Sequence, residues 1–326
     1  VTISNETPKV TGVPLVEQMA VLRRDVEVLV VTATPTEKSA VLARMTPLPS
    51  NAAILKGAIG AATYYVGRLG AHGIALTMGR MGAVGGGSSK DAVAGGCEVW
   101  EPRAVIMVGI AFGKDAAKQG IGDVLVASQI ISYAERRVGP KIEYRGPIAE
   151  ASRGLVDRFR NVDDWTFGPR ADGSMCEMRV GALLSGEELI DEAGRKAELF
   201  EAFPQAIGGE MEGRGLYAAA QEAGVAWILV KAICDWGDGT KHKKDQPFAA
   251  QSAADLVYRV LAVADGLEGV PAKKARKVRA PTAKVQTESA GRVVTASGRG
   301  VAVGGDMKAS IVITSDDNVV KRGSHK

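Results

Sequence analysis

The chain has little histidine, little cysteine and few aromatics, and each shortage closes off a class of function. Three histidines in 326 residues (His72, His242 and His325) and no HExxH string argue against a metal site. Three cysteines without a CxxC pair give no disulfide framework and point to reduced thiols in a cytoplasm. No apolar run approaches the roughly 20 residues that span a bilayer; AVIMVGIAF, Ala104 to Phe112, is among the longest. The opening VTISNETPKVTGVP is polar and lacks the basic-then-apolar order of a signal peptide. Neither membrane nor cofactor is expected as a partner. Forty glycines beside 5% aromatics suit a compact α/β protein with many tight turns.

The net charge of +4 hides an asymmetry. From Pro271 onward there are 12 Lys and Arg against 4 Asp and Glu, whereas the first 270 residues hold 29 against 33. The main body is therefore acidic, and nucleic acid is not expected to bind it. Composition divides the chain into a polar N-terminal arm (1–24), a main domain (25–268), a basic linker (269–292) and a short β-rich tail (293–326). The linker reads as a solvated spacer. The tail, with two or three short strands, is too small for a core of its own; it is either disordered or pairs with a partner protein or another copy.

Within the domain, VEVLVVTAT reads as a buried strand and PTEKSAVLARM as the helix after it, with Pro35 in the first turn. ATYYVGRLG and HGIALTMG resemble a strand pair turning on a glycine. Further buried strands are AVIMVGIAFG, GDVLVASQIISY, MRVGALLSGEEL (running into a helix) and VAWILVKAICD; QPFAAQSAADLVYRVLAVADGL is a helix. The fold class expected is α/β: one three-layer domain whose central mixed, largely parallel twisted sheet is flanked by helices, plus the β-rich appendage. The glycines of GRMGAVGGGSSK follow neither GxxxxGK[ST] nor GxGxxG, and are read as permitting close helix–strand packing.

In such a sheet ligands sit at the carboxyl ends of the strands. That edge would collect Glu37, the Gly109 to Gly113 backbone, Glu210 or Glu212, and Asp235, with no Ser-His-Asp order among them. Carboxylates and amides suit cleavage of a glycosidic bond, where a leaving base needs a proton, a water needs a carboxylate, and ribose hydroxyls need an acceptor. Helix capping is the competing role for each acid.

The strings TATPTEKSAVL, VGIAFG…GDVLVAS, LLSGEELI, GGEMEGRGLYAAA and VKAICDWGDG, in that order, resemble the nucleoside phosphorylase/nucleosidase superfamily over Val26 to Leu267. The chain is most similar there to methylthioadenosine/S-adenosylhomocysteine nucleosidases. It also resembles the nucleosidase effector domains of antiphage systems and fungal immune receptors. The resemblance implies that Glu37 positions the attacking water, Met211 and Glu212 lie under the ribose, and Asp235 protonates the purine at N7. It further implies that Leu189 and Ile190 read the base edge through their backbone, and that Gly109, Ile110 and Ala111 form the turn beneath the sugar.

Three positions depart from the family: Leu189 replaces an aromatic, Lys231 an arginine and Cys234 a serine. Arg80 is a candidate for the sugar or its 5′ substituent. Glu210 reads as a cap or salt-bridge partner. The run Lys241, His242, Lys243, Lys244 is either a solvated turn or a clamp for 5′-phosphates, with Lys241 and Lys243 nominated.

The activity implied is hydrolysis of a purine nucleoside or nucleotide to free base, adenine first among them, and depletion of ATP-type nucleotides in antiphage defence. The alternatives are a phosphate-dependent phosphorylase and a catalytically silent nucleoside sensor. TATPTEK lacks the arginines of the phosphorylase loop, which favours water. By the same resemblance the protein is a homodimer or a larger homo-oligomer.

Overall fold

The computed structural model describes residues 8–240 and 243–272. The tail and the linker from residue 273, with Lys241 and His242, lie outside them. Along the chain run β1 (Val10–Gly12), α1 (Leu15–Asp25), β2 (Val26–Thr32), α2 (Pro35–Leu42), β3 (Met45–Thr46), β4 (Ile54–Ile59), β5 (Ala62–Leu69) and β6 (His72–Met78). Then come α3 (Ser89–Trp100), β7 (Ala104–Gly113), β8 (Val124–Ser132), β9 (Arg136–Val138), β10 (Ile142–Tyr144), β11 (Ile148–Glu150) and α4 (Arg153–Arg160). Last are β12 (Met178–Ser185), α5 (Ala193–Ala202), β13 (Ala206–Glu210), α6 (Gly213–Ala223), β14 (Ala226–Asp235) and α7 (Gln246–Leu261). None of these helices is long and apolar enough to cross a membrane.

Twelve strands form one mixed sheet, in the order β1-β4-β5-β6-β2-β7-β13-β12-β8-β11, with β14 between β7 and β8 and β3 against β5. Its centre is made of strands buried on both faces, such as VEVLVVT and AWILVKAICD, as parallel strands covered by helices require. Strands β6, β2, β7 and β14 are parallel, so their carboxyl ends share an edge. A single edge does not account for the other strands. Strand β8 runs antiparallel to β14, and β12 follows β8. The pairings β7–β13–β12–β8–β14–β7 close on themselves, and β13 meets β7 tail to tail, Gly208 opposite Gly113 and Gly209 opposite Phe112. This closure carries the carboxyl ends of β12 and β13 to the same place as that of β7. Gly209 permits it: a Cβ there would lie 2.3 Å from the Phe112 ring.

Four expectations need correction. Residues 10–24 are not an arm apart from the domain, because β1 pairs parallel with β4 and α1 buries Leu15 and Leu22. Those two leucines, seven residues apart, lie on one helical face, a signal too sparse to stand out in a polar stretch. The sequence AIGGE, absent from the strands expected, is a strand, β13; its two glycines hide it from propensity. LSGEEL does not run directly into a helix: residues 186–192 are a loop, and α5 starts at Ala193, capped by the Glu192 side chain. Finally, Gly82, Gly85 and Gly87 have φ of +93°, +93° and +78° and shape a loop; it is Gly96, on α3, that packs a helix on a strand, against Leu29.

Candidate active site

Glu37 enters the site through an ordinary helix start. Thr34 caps α2 by accepting from the Glu37 amide at 3.3 Å, and Glu37 Oε2 accepts in return from the amides of Ala33 and Thr34 at 2.7 and 2.8 Å. A capping box leaves its glutamate in solvent unless something covers it. Here β7 does: Glu37 is 2% exposed, and its Oε1 accepts from the Ile110 amide at 2.9 Å. The approach needs a glycine, because a Cβ on Gly109 would sit 2.3 Å from Glu37 Oε1 and 2.8 Å from Lys231 Nζ. Glu37 is thus both a member of the α2 capping box and a buried carboxylate held against β7.

Lys231 is the centre of the arrangement. It is wholly buried midway along β14, with its Nζ 2.8 Å from Glu212 Oε2, 3.7 Å from Glu210 Oε2 and 4.0 Å from Glu37 Oε1. Burial opposes its charge, but Glu212, Glu37 and Glu210 together outweigh burial and hold its ammonium above the ordinary lysine range. Glu212 uses its other oxygen, Oε1, to accept from the Gly82 amide at 3.1 Å. Glu210 accepts from the amides of Glu212 and Gly213 at 2.8 and 2.9 Å, so it caps α6 and pairs with Lys231. Met211, between the two acids, is half-buried.

Three carboxylates share one lysine, and burial dominates what remains. It raises the pKa of Glu37, against Lys231 and with Glu212, and pushes Glu210 up to about 7, again against Lys231. A carboxyl raised from 4.5 to about 7 on folding stabilises the fold below pH 4.5, where both states are protonated, and that contribution is lost as pH rises through 7. The loss is on the order of 3 kcal/mol. Glu210→Gln is therefore expected to flatten the fall in stability between pH 4.5 and 7, read by urea unfolding at each end; an unchanged slope would show that Glu210 carries none of it.

Asp235 ends β14 where the strand slips register. Ile233 pairs with Ala111 and Asp235 with Phe112, so Cys234 is the extra residue of a bulge. The bulge turns the carboxylate of Asp235 inward, where it accepts from the Gly237 amide at 3.0 Å and from the Cys234 thiol at 3.2 Å. Lys231 pairs with Gly109, three register steps back, about 10 Å along the strand at ~3.3 Å per residue. One strand thus carries the buried charge cluster and, three register steps on, the inward carboxylate.

The remaining nominated residues divide. Ala111 is buried and Ile110 half-buried beside Glu37. Ile190 is buried in an apolar cluster with Phe112 and Tyr133, leaving only its backbone for a base edge, while Leu189 is 62% exposed. Arg80 is exposed on the glycine loop, its side chain against Gly87. Lys243 is exposed in a short 3-10 turn, Lys243–Asp245. Asp238 accepts from Thr240 and shapes the preceding turn. No local pattern marks Trp236, which covers Gly113 and holds Lys196 5.8 Å over its ring, or Glu187, which accepts from the Ala83 amide at 3.1 Å.

Comparison with known proteins finds similar chains of this fold. The family model of the phosphorylase superfamily matches residues 27–264. A death domain-containing ATP nucleosidase of Amphimedon queenslandica is 28% identical over 283 residues, 79% of this chain and 52% of that protein, so the chain spans about half that relative's length. The 5′-methylthioadenosine/S-adenosylhomocysteine nucleosidase of Staphylococcus aureus (strain Newman) is 22% identical over 209 residues, covering 63% and 86%. Among solved structures, that nucleosidase from Neisseria meningitidis in complex with methylthio-immucillin-A has a TM-score of 0.60 at 17% identity, over 72% of this chain and 98% of its own. Futalosine hydrolase of Helicobacter pylori gives 0.59 at 18%, over 72% and 97%. At these identities the structures speak for the fold.

Proposed function

Because the chain belongs to the phosphorylase superfamily, we propose that it is a nucleosidase hydrolysing the N-glycosidic bond of a purine nucleoside or nucleotide, with adenine as the released base. The observation that carries this reading is the pairing of a buried Glu37–Glu212–Lys231 cluster with an inward carboxylate, Asp235, on the same strand as Lys231. Cleavage separates charge: the sugar becomes cation-like and the base takes the bonding electrons. Asp235 supplies a proton to N7, so the base leaves neutral. Glu212 accepts from ribose hydroxyls on the lone pairs that Gly82 and Lys231 leave open. Glu37 orients water at the anomeric carbon and takes its proton, and burial strengthens it as a base. Water attacks C1′, the C1′–N9 bond breaks, and the products are base and free ribosyl sugar.

We extend the reading to ATP-type nucleotides, with a defence role by nucleotide depletion, on the support of the similar ATP nucleosidase. Lys243, with Lys241, would clamp the 5′-phosphates; one is exposed near the start of α7 and the other lies outside the described residues. The double variant Lys241→Ala/Lys243→Ala is expected to lower kcat/KM for ATP relative to adenosine by about tenfold, the scale of one charge-assisted bond. An unchanged ratio in a two-substrate adenine-release assay would leave the run a solvated turn. Homodimerisation, a cytoplasmic location and partner docking through the tail complete the proposal.

A further inference from the structure

Two loops face each other across the site. Residues 79–88, between β6 and α3, carry Gly82, whose amide donates to Glu212 on the sugar side. Residues 186–192, between β12 and α5, carry Leu189 and Ile190, which the family resemblance assigns to the base edge. Consecutive glutamates in the second loop point to different neighbours. Glu188 faces away from the glycine loop and accepts from Arg136 at 2.6 Å and from Arg195 at 2.8 and 3.1 Å, which fastens the loop to β9 and α5. The Gly186 amide donates to the Glu210 carbonyl at 3.2 Å. Glu187 faces the glycine loop: its Oε1 accepts from the Ala83 amide at 3.1 Å, and its Oε2 lies 2.9 Å from where a Cβ on Gly82 would be. Adjacent amides, Gly82 and Ala83, are thus divided between Glu212 and Glu187.

We infer that Glu187 is a positioning residue: its carboxylate straps the base-side loop to the glycine loop, fixing the separation of the base and sugar ends of the site. The inference rests on the nucleosidase reading and adds to it a residue that touches neither substrate nor the reacting atoms. Only a ligand spanning both ends senses that separation, because the strap aligns the two halves and does not form either one. Glu187 is exposed, so removing its side chain costs the fold little.

The test compares Glu187→Ala and Glu187→Gln with the wild-type full chain, first in adenine release from adenosine and then in calorimetric binding of free adenine. Glu187→Ala is expected to lower kcat/KM for adenosine by about tenfold or more, the loss of one bond to a charged acceptor. Adenine affinity stays within about twofold and the melting temperature within about 2 °C. Glu187→Gln, which keeps an oxygen for the Ala83 amide, stays within about threefold of wild type in kcat/KM. The strap is refuted if Glu187→Ala cleaves adenosine as well as wild type, if adenine affinity falls in parallel with cleavage, or if Glu187→Gln is as poor as Glu187→Ala. A wild-type protein that releases no base from adenosine, AMP or ATP refutes the nucleosidase reading and the strap with it, whereas an active wild type with an unaffected Glu187→Ala refutes the strap alone.

Discussion

Asp235→Asn is expected to reduce base release by about 10²–10⁴-fold, the contribution of a positioned general acid. The fold should survive it. The amide of Gly237 donates to Asp235 Oδ1, and the side-chain carbonyl of asparagine can accept the same bond, so the bulge and the turn after it remain. The change in stability stays near 1 kcal/mol, the worth of one altered hydrogen bond. What is lost is the proton: asparagine has none to give a leaving base at neutral pH. Adenine release by chromatography, thermal unfolding and adenosine binding separate these effects. Near-wild-type turnover would remove Asp235 from the acid role.

Lys231→Met has the largest expected effect on the fold. Methionine matches the length of the lysine stem but leaves Glu37, Glu210 and Glu212 buried without their shared cation. Removing one partner of a buried ion pair costs about 3–5 kcal/mol. The loss is pH-dependent, and its sign follows from the carboxyls. Without the lysine, Glu37 and Glu210 hold protons more tightly in the folded than in the unfolded state, which adds to the upward shift burial already causes. Stability is then retained below the unfolded value near 4.5 and lost as pH rises through the folded ones. Urea unfolding should find the variant much weaker than wild type at pH 8 and closer to it at pH 5. An equal loss at both would mean that Lys231 contributes packing and not charge.

The parts of this site that were legible in the sequence are those carried by local pattern. VEVLVVT and AWILVKAICD announce buried strands by continuous β-branched and aliphatic runs, and Thr34, Pro35 and Glu37 announce a helix start. Asp235 stands at the end of a buried strand, the edge where a ligand is expected. Lys231 is different. A lysine inside an apolar strand makes sense only when glutamates from α2, β13 and the start of α6 surround it, and no spacing in the chain relates them. The tail-to-tail meeting of β13 with β7 is equally non-local, and two glycines in AIGGE conceal the strand that makes it. Glu187 lies within LLSGEELI, yet its partner lies 104 residues earlier on a glycine loop. Contacts of this kind are set by topology, which local propensity does not encode.

The central claim, water-driven cleavage of a purine N-glycosidic bond, is tested most directly by product identification. The purified chain is incubated with adenosine, AMP, ATP, methylthioadenosine and inosine, with and without inorganic phosphate, and the products are separated by chromatography. The account predicts free adenine and a free ribosyl sugar, released at the same rate whether or not phosphate is present. Ribose-1-phosphate as product, a strict requirement for phosphate, or tight nucleoside binding with no base released would contradict it.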